Sequence, residues 1–536
     1  MQRWLLIFFS LLLLLLTTHS THAQTSKSTE KIPHNLMALY DRYSSHLAQS
    51  TAPSFTSDDP SVRQIDDYVV VDAVASGDVE NLKADLTSLG MQGAVAYGRM
   101  VSGYLPISSI PTASALTSLK FVQTAKAVTH VGSVTSQGDQ SMRSNLTRAA
   151  FAVDGSGIKV GVLSDSFDCL GGAATDVANG DLSSVTIVQE ISSCTDATDE
   201  GRAMLQIIHD VAPGAGLSFA SAFNGMASFA ANITALKNNG AKVIVDDIIY
   251  LAEPMFQDGI VAQAVDGVVA SDAAYFSSAG NQARQSYQSA FRPGDFFANG
   301  AIPSAPGAPA FLGGTGHNFN SIGGKDQFLS VTIPGGTGVT VVLQWDSPFF
   351  SVSGSPGTQN DLDLYVLDSS ATQVLAGTTF NNIGGDAVEI FGATNTGLAA
   401  LNVNLMIVNH SGVAPGLLKI VYFYSGAPPI INEFDTQSGT IYGHANASGG
   451  EAVGAARYSN TPAFGVSPPV LESFSSSGST PILFDLTGNR LATPDPRPDK
   501  PEIVAPDGAD TTFFGSFDFD GTGFPNFFGT SAAAPH

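Results

Sequence analysis

The amino-acid sequence predicts an α/β protein: a parallel-sheet domain, interrupted by an inserted all-β sandwich and preceded by a smaller α/β unit. Three observations carry this prediction. From Gly155 to Asn281, short apolar runs alternate with segments of helical spacing, as strands joined by crossover helices do. From about Phe311 to Ser425 helical spacing vanishes, and short alternating runs lie between Gly, Asn and Ser turns. Short apolar runs occur again past that region, at Ala452–Ala455 and Ile503–Val504.

Composition narrows the partners. The 536 residues are enough for two or three domains with sizeable cores. Only 13% are charged and the formal net charge is -24, so no basic stripe exists to neutralise phosphates, and nucleic acid is excluded as a partner. At the N-terminus Arg3 precedes an apolar run, Trp4–Leu16, broken only by Ser10. Small residues at Thr21 and Ala23 follow. This is the pattern of a secretory signal peptide over residues 1–23, with Gln24 as the new N-terminus and an uncleaved anchor as the alternative. The expectation is a secreted, extracellular or periplasmic, acidic protein with no stable membrane span once the signal is cleaved.

Residues 24–65 are rich in Ser, Thr and Pro and read as a linker. Residues 66–135 change texture. Val69–Val71 is strand-like, and Val79, Leu82, Leu86 and Leu89 have helical spacing. Short strands follow at Val95–Tyr97 and Ser102–Pro106, then a helix near Ala113–Leu119 and a strand at Phe121–Val122. This is the ferredoxin-like order, open also to an independent small binding domain.

The parallel-sheet domain is assigned to 140–310 and 435–536. Ile158–Leu163 is a nearly continuous apolar run, broken by Lys159, as a strand covered on both faces should be. A long polar loop, Asp165–Asp199, holds the chain's two cysteines, Cys169 and Cys194. In an exported chain these are either one bridge, stabilising by roughly 3 kcal/mol, or two separate buried thiols. A helix follows with Ala203, Met204, Ile207, Ile208 and Val211 on one stripe, stopped at Ala212-Pro213-Gly214. Further elements are read at Leu217–Ala220, Phe229–Leu236, Val243–Val245, Ile260–Val269 and Ala274–Ser278. The sandwich is assigned to 311–430, with strands at Val331–Ile333, Val339–Trp345, Asp361–Leu367 and Leu418–Tyr424.

The segment Gly529-Thr530-Ser531-Ala532-Ala533-Ala534-Pro535-His536 sets a serine at the start of a tightly packed helix. It resembles the nucleophile signature of subtilisin-like serine peptidases (subtilases), and Ala452–Ala455 and Lys500–Pro506 resemble late strands of that family, which implies that the sandwich is inserted within the parallel-sheet domain. The resemblance implies that Ser531 is the nucleophile, Asp165 the acid after the first central strand, and Asn281 the oxyanion donor. It also implies that residues 66–135 are a propeptide, acting as an intramolecular inhibitor. Asp361–Val366 resembles a strand of accessory domains in secreted peptidases. Asp168 competes with Asp165, and a turn-capping role is open to both.

The base departs from the family. In Thr198-Asp199-Glu200-Gly201-Arg202, Glu200 stands where subtilases place histidine, which is similar to the Ser-Glu-Asp set of the sedolisins. His209 lies on the opposite side of that helix, roughly 13 Å further along. As an acid in the first turn, Glu200 is open also to a purely helix-stabilising role. The family's cleft walls correspond to Asp247, Ile248, Ser278 and Gly280, with Asp246 and Asp247 favouring basic or neutral substrate side chains. No cofactor is expected. Asp518-Phe519-Asp520-Gly521 has the flavour of a Ca2+ loop without the full ligand spacing.

The sequence therefore predicts a secreted serine endopeptidase acting on polypeptides through an acyl-enzyme, with an acid-shifted pH optimum. The alternative is an inactive exported protein that uses the sandwich for adhesion. His536 comes one turn into the serine helix, so a longer natural product is expected.

Overall fold

A computed structural model describes residues 31–49, 55–57, 59, 61–125, 127–128, 136–515 and 517–536. The signal segment 1–23 and residues 129–135, at the end of the N-terminal unit, lie outside the described residues.

The organising element is a seven-stranded parallel sheet. Its order is Ile503–Asp507, Glu451–Arg457, Ala274–Ser278, Val243–Asp246, Lys159–Ser164, Gly216–Ser221, Val185–Gln189. Every pair in it is parallel. One face buries the helices Met226–Asn238 and Ile260–Val269 through Phe229, Ile233, Val261 and Val265. The other buries Glu200–Val211 and Thr530–Ala533, where Met204, Ile207, Ala532 and Ala533 share one core. From the first strand, Lys159–Ser164, the chain builds outward to one edge and then returns to build the other from Val243–Asp246. The crevice beyond these two adjacent strand ends is the topological switch point, where open α/β sheets collect ligands.

One strand escapes the sequence reading. Val185–Gln189 and the helix Ala173–Asn179 interrupt the expected long loop. The strand lies at the sheet edge and is half exposed, so it lacks the continuous apolar run that marks its buried neighbours.

The N-terminal unit is an antiparallel sheet in the order Leu119–Thr124, Tyr68–Ala75, Met100–Pro106, Gln92–Tyr97. The helix Val79–Ser88 packs on it through Leu82 and Leu86, capped by Asp78, which accepts from Glu80 N at 2.9 Å. The stretch read as linker instead contains the helix His34–Gln49, whose Leu36, Leu39 and Tyr43 enter the same core. Their three- and four-residue spacing was hidden by polar composition.

This unit docks on the helix Met226–Asn238. Asp72 Oδ1 accepts from Met226 N at 3.2 Å, and Ser102 Oγ accepts from Ala227 N at 3.0 Å. Two side chains of one unit thus cap the helix N-terminus of the other. Gly225 permits the approach: it holds φ +97°, and a Cβ there would lie 2.2 Å from Ser102 Cβ. Past the unit, Ala127–Val128 pairs antiparallel with Ile249–Tyr250, just beyond the Val243–Asp246 strand.

The sandwich consists of two antiparallel sheets closed over Trp345, Leu362, Leu364, Leu405, Ile420 and Tyr422. Ser286–Ala290 and Pro293–Phe297 are already strands of these sheets, so the sandwich starts before the expected boundary at 311. Arg292-Pro293-Gly294 between them breaks the alternation that would have marked them.

Candidate active site

Asp165 follows the first central strand, and both its carboxylate oxygens are filled by donors. Oδ1 accepts from Ser166 N and from Glu200 N at 2.9 Å. Oδ2 accepts from Thr198 N at 2.6 Å and Thr198 Oγ1 at 2.7 Å. Burial pushes its pKa up, and these donors pull it back. Asp165 thereby pins the N-terminus of the Glu200–Val211 helix to the sheet. Asp199, in the left-handed region at φ 57°, pins it from the other side. Its oxygens accept from Ser166 Oγ at 3.0 Å, Cys169 N at 2.8 Å and Leu170 N at 3.0 Å, and pair with Arg202 at 3.0 Å. Arg202 also binds Asp176 and the carbonyl of Phe167. Cys169 and Cys194 form a disulfide that closes this loop.

Glu200 is fully buried at the start of that helix. Gly201 beside it allows close packing: a Cβ would lie 2.3 Å from Phe219 Cε2 and 2.8 Å from Ser166 O. Asp247, just past the neighbouring strand, is 1% exposed and faces Glu200. Burial pushes Asp247 up to about 8, with the charges of Asp165 and Asp246 adding to the rise and the contact with Glu200 opposing it. Asp246 is also fully buried. It accepts from Ile248 N, Ser277 Oγ and His444 Nε2, each at 3.0 Å. His444 Nδ1 pairs with Glu253 at 2.9 Å. Burial works against charge on His444, yet Glu253 and Asp246 override it and raise the imidazole to about 10.

On the far side of the crevice, Asn281 follows the Ala274–Ser278 strand. Its Oδ1 accepts from Thr530 N at 3.0 Å and Thr530 Oγ1 at 2.8 Å. Thr530 Oγ1 in turn accepts from Gly280 N at 3.1 Å. With its oxygen so occupied, the Asn281 side chain presents its NH2 end as the available donor. Ser531 is the second residue of the short helix Thr530–Ala533, fully buried, and its Oγ has no hydrogen-bond partner. Asp507 holds the turn before it, accepting from Gly529 N at 3.0 Å, and burial pushes Asp507 up to about 8.

The structure thus gathers Asp165, Glu200 and Asp247 at one side of the switch point, and Asn281 and Ser531 at another. The Glu200 and Ser531 helices pack in one core. Asp168 is excluded: it is exposed and accepts from Ala173 N at 2.9 Å as a turn cap. Of the residues expected to wall the cleft, Asp246, Asp247, Ile248 and Ser278 have buried side chains and Gly280 is partly exposed. Asp246 is held by Ser277 and His444, and Ala127–Val128 pairs with Ile249–Tyr250 just beyond it. In the stretch with the flavour of a Ca2+ loop, both aspartates accept hydrogen bonds from the protein. Asp518 is occupied by Gly521, Thr522 and Gly523 N–H groups, and Asp520 by Tyr458, Gln137 and Asn526. Among the described residues no group of three His, Cys, Asp or Glu side chains is placed to hold a metal ion, and no helix is long and apolar enough to cross a membrane.

Sequence reasoning missed the roles of Thr530, Asp507, His444 and the Asp247–Glu200 contact. The signal for the last was present: two consecutive acids ending an apolar strand.

No protein-family model matches the chain, and no curated protein matches it. Among solved structures it is similar to the epidermin leader peptide processing serine protease EpiP from Staphylococcus aureus, at 10% identity and a TM-score of 0.28, over 40% of this chain and 61% of that one. It is similar also to Pseudomonas sedolisin, a serine-carboxyl proteinase, at 15% identity and a TM-score of 0.20, over 28% and 46%. A third is MycP1, a serine protease of a type VII secretion system, at 16% identity and a TM-score of 0.21, over 32% and 57%. The chain spans less than two thirds of each of them. Likeness at this level says nothing of residue roles, which rest on the geometry above.

Proposed function

We propose that this protein is an exported serine endopeptidase of subtilisin-like architecture that hydrolyses polypeptides through an acyl-enzyme, with a carboxyl group as its base. The observation that carries the reading is the joint placement of Ser531 and Asn281. A buried hydroxyl without a partner lies in the first turn of a helix, and an amide donor is locked one residue away through Thr530. Ser531 Oγ attacks the scissile carbonyl while its proton passes to Glu200. The oxyanion is held by the Asn281 amide and a backbone N–H at the helix start. When the C–N bond breaks, Glu200 returns the proton to the leaving amine, and water then repeats the cycle on the ester. A carboxyl base has a reference pKa of about 4.3, which supports an acid-shifted optimum.

In this reading the N-terminal unit is the propeptide and inhibitor. Its support is the capping of the Met226–Asn238 helix by Asp72 and Ser102, together with the strand that Ala127–Val128 adds beside Ile249–Tyr250.

The complete burial of Ser531 favours a second reading, an inactive exported binding protein. Labelling by a fluorophosphonate separates them. Covalent modification at Ser531, lost in Ser531→Ala and reduced in Glu200→Gln, supports the peptidase. A native protein that stays unlabelled and leaves casein intact from about pH 3 to 8 sinks it.

A further inference from the structure

We propose that the inserted sandwich carries a binding site of its own. A cavity between its two sheets takes a ring-sized, uncharged apolar molecule bearing one hydrogen-bonding oxygen, which meets the hydroxyl of Tyr422. Phenol is the simplest member of that class. The site does not depend on the peptidase reading.

The cavity follows from how the core is filled along its length. In the strand Gly338–Trp345 the inward side chains are Val339, Val341, Leu343 and Trp345, so they grow from one end to the other. The facing sheet repeats the trend, with Val366 and Val403 opposite the small end and Leu362 and Ile407 toward the large one. Trp345 Nε1 donates to Asn360 Oδ1 at 2.6 Å, which anchors the large end. At the small end valines and Ala376 meet across the sheets and leave a cavity of about 140 Å³. Native interiors hold few voids larger than a water molecule, and an apolar one of this size stays dry and accepts a benzene-sized guest. Leu401, which is 44% exposed, and the exposed Thr394 line it as well, so a ligand enters from this end of the sandwich.

The wall selects the chemistry of the guest. No charged side chain lines the cavity. Asn395 is already committed, donating from Nδ2 to the carbonyls of Ile333, Pro334 and Ala399 and accepting from Gly397 N at 3.1 Å. Tyr422 is the exception. It lines the cavity, is fully buried, and its hydroxyl has no hydrogen-bond partner. By contrast Tyr287 and Tyr365, buried as deeply in the sandwich, bond His317 and Asp363, each at 2.9 Å. A buried phenol left unpaired is costly, and a ligand oxygen removes that cost. Burial and the charge of Asp435 hold the Tyr422 hydroxyl protonated, so it donates, and the same charge repels an anionic guest.

Titration calorimetry on the full chain, with phenol, benzene and benzoate as probes, tests the site. The wild type should bind phenol about tenfold more tightly than benzene, and benzoate not at all. Tyr422→Phe keeps the ring and loses the hydroxyl, so it should bind phenol and benzene equally. Ala376→Leu fills the cavity and should bind neither. Without ligand, Tyr422→Phe should melt no lower than the wild type, because it removes a hydroxyl that bonds to nothing in the free protein. The proposal is overturned if the wild type takes up no phenol, if Tyr422→Phe keeps the preference for phenol or melts lower, or if benzoate binds as well as phenol. Should Ala376→Leu fail to fold, the Tyr422→Phe comparison alone decides. Ser531→Ala should bind phenol as the wild type does, so loss of the peptidase reading leaves this result standing.

Discussion

Asn281 Oδ1 accepts both the N–H and the hydroxyl of Thr530, so the amide and the residue before Ser531 move as one unit. Thr530→Val removes one of these bonds and lets the amide turn. Activity should fall about 10–100-fold, mostly in kcat, while Asn281→Ala should cost about 10²–10³-fold. A loss confined to KM would mean that Asn281 binds substrate rather than the oxyanion.

Gly201→Ala tests whether the position of the Glu200 helix matters. The added carbon meets Phe219 at 2.3 Å and the Ser166 carbonyl at 2.8 Å, and the second contact is backbone that cannot step aside. We expect a stability loss of about 1–3 kcal/mol by denaturant titration, accompanied by slower Ser531 labelling. Labelling at the native rate in a folded Gly201→Ala protein would separate Glu200 from the chemistry.

Stability should rise as pH is lowered from 8. Burial raises Asp72 to about 7, and Asp247 and Asp507 to about 8 each, from an ordinary value of 3.8. The folded chain keeps protons that the unfolded chain releases. Their contribution is therefore complete below about pH 4 and is lost progressively as pH climbs to about 8. His317 and His536, lowered by burial to about 3 and 4, act the other way and withdraw stability as pH falls below 6.5. Between pH 8 and 6.5 the acids are joined by His444, raised to about 10, and opposed by the buried Lys419, lowered to about 7, and the net effect should be a midpoint rising by about 5 °C in scanning calorimetry. A flat or falling midpoint there would show these carboxyls to be ionised in the fold.

The disulfide should matter to the site as well as to stability. Cys169–Cys194 closes a loop of 25 residues whose Cys169 N–H is held by Asp199, the residue before Glu200. Cys194→Ser should lose about 3 kcal/mol and slow labelling, and alkylation of the native protein should require prior reduction.

How much of this was legible depended on whether a residue's partner was local. Strands such as Lys159–Ser164 and Val243–Asp246 announce themselves, because burial on both faces demands unbroken apolar runs. Ser531 was visible through its small-residue helix, and Glu200 through its place before Gly201. The edge strand Val185–Gln189 and the helix His34–Gln49 were not, since each is apolar on one face only and sits in polar sequence. Asp247 was placed on a cleft wall by the family resemblance, and nothing in the sequence names the distant neighbours that bury its side chain. His444, far along the chain from Asp246, had no sequence signal at all.

The parallel sheet is assembled from both sides of the sandwich: Ala274–Ser278 lies beside Glu451–Arg457, and 249 residues separate Asn281 from Thr530. During synthesis, Asp165, Glu200 and Asn281 emerge long before Ser531 and the two strands, Glu451–Arg457 and Ile503–Asp507, that complete the sheet beside it. The core shared by the Glu200–Val211 and Thr530–Ala533 helices can therefore close only after the whole sandwich has been made.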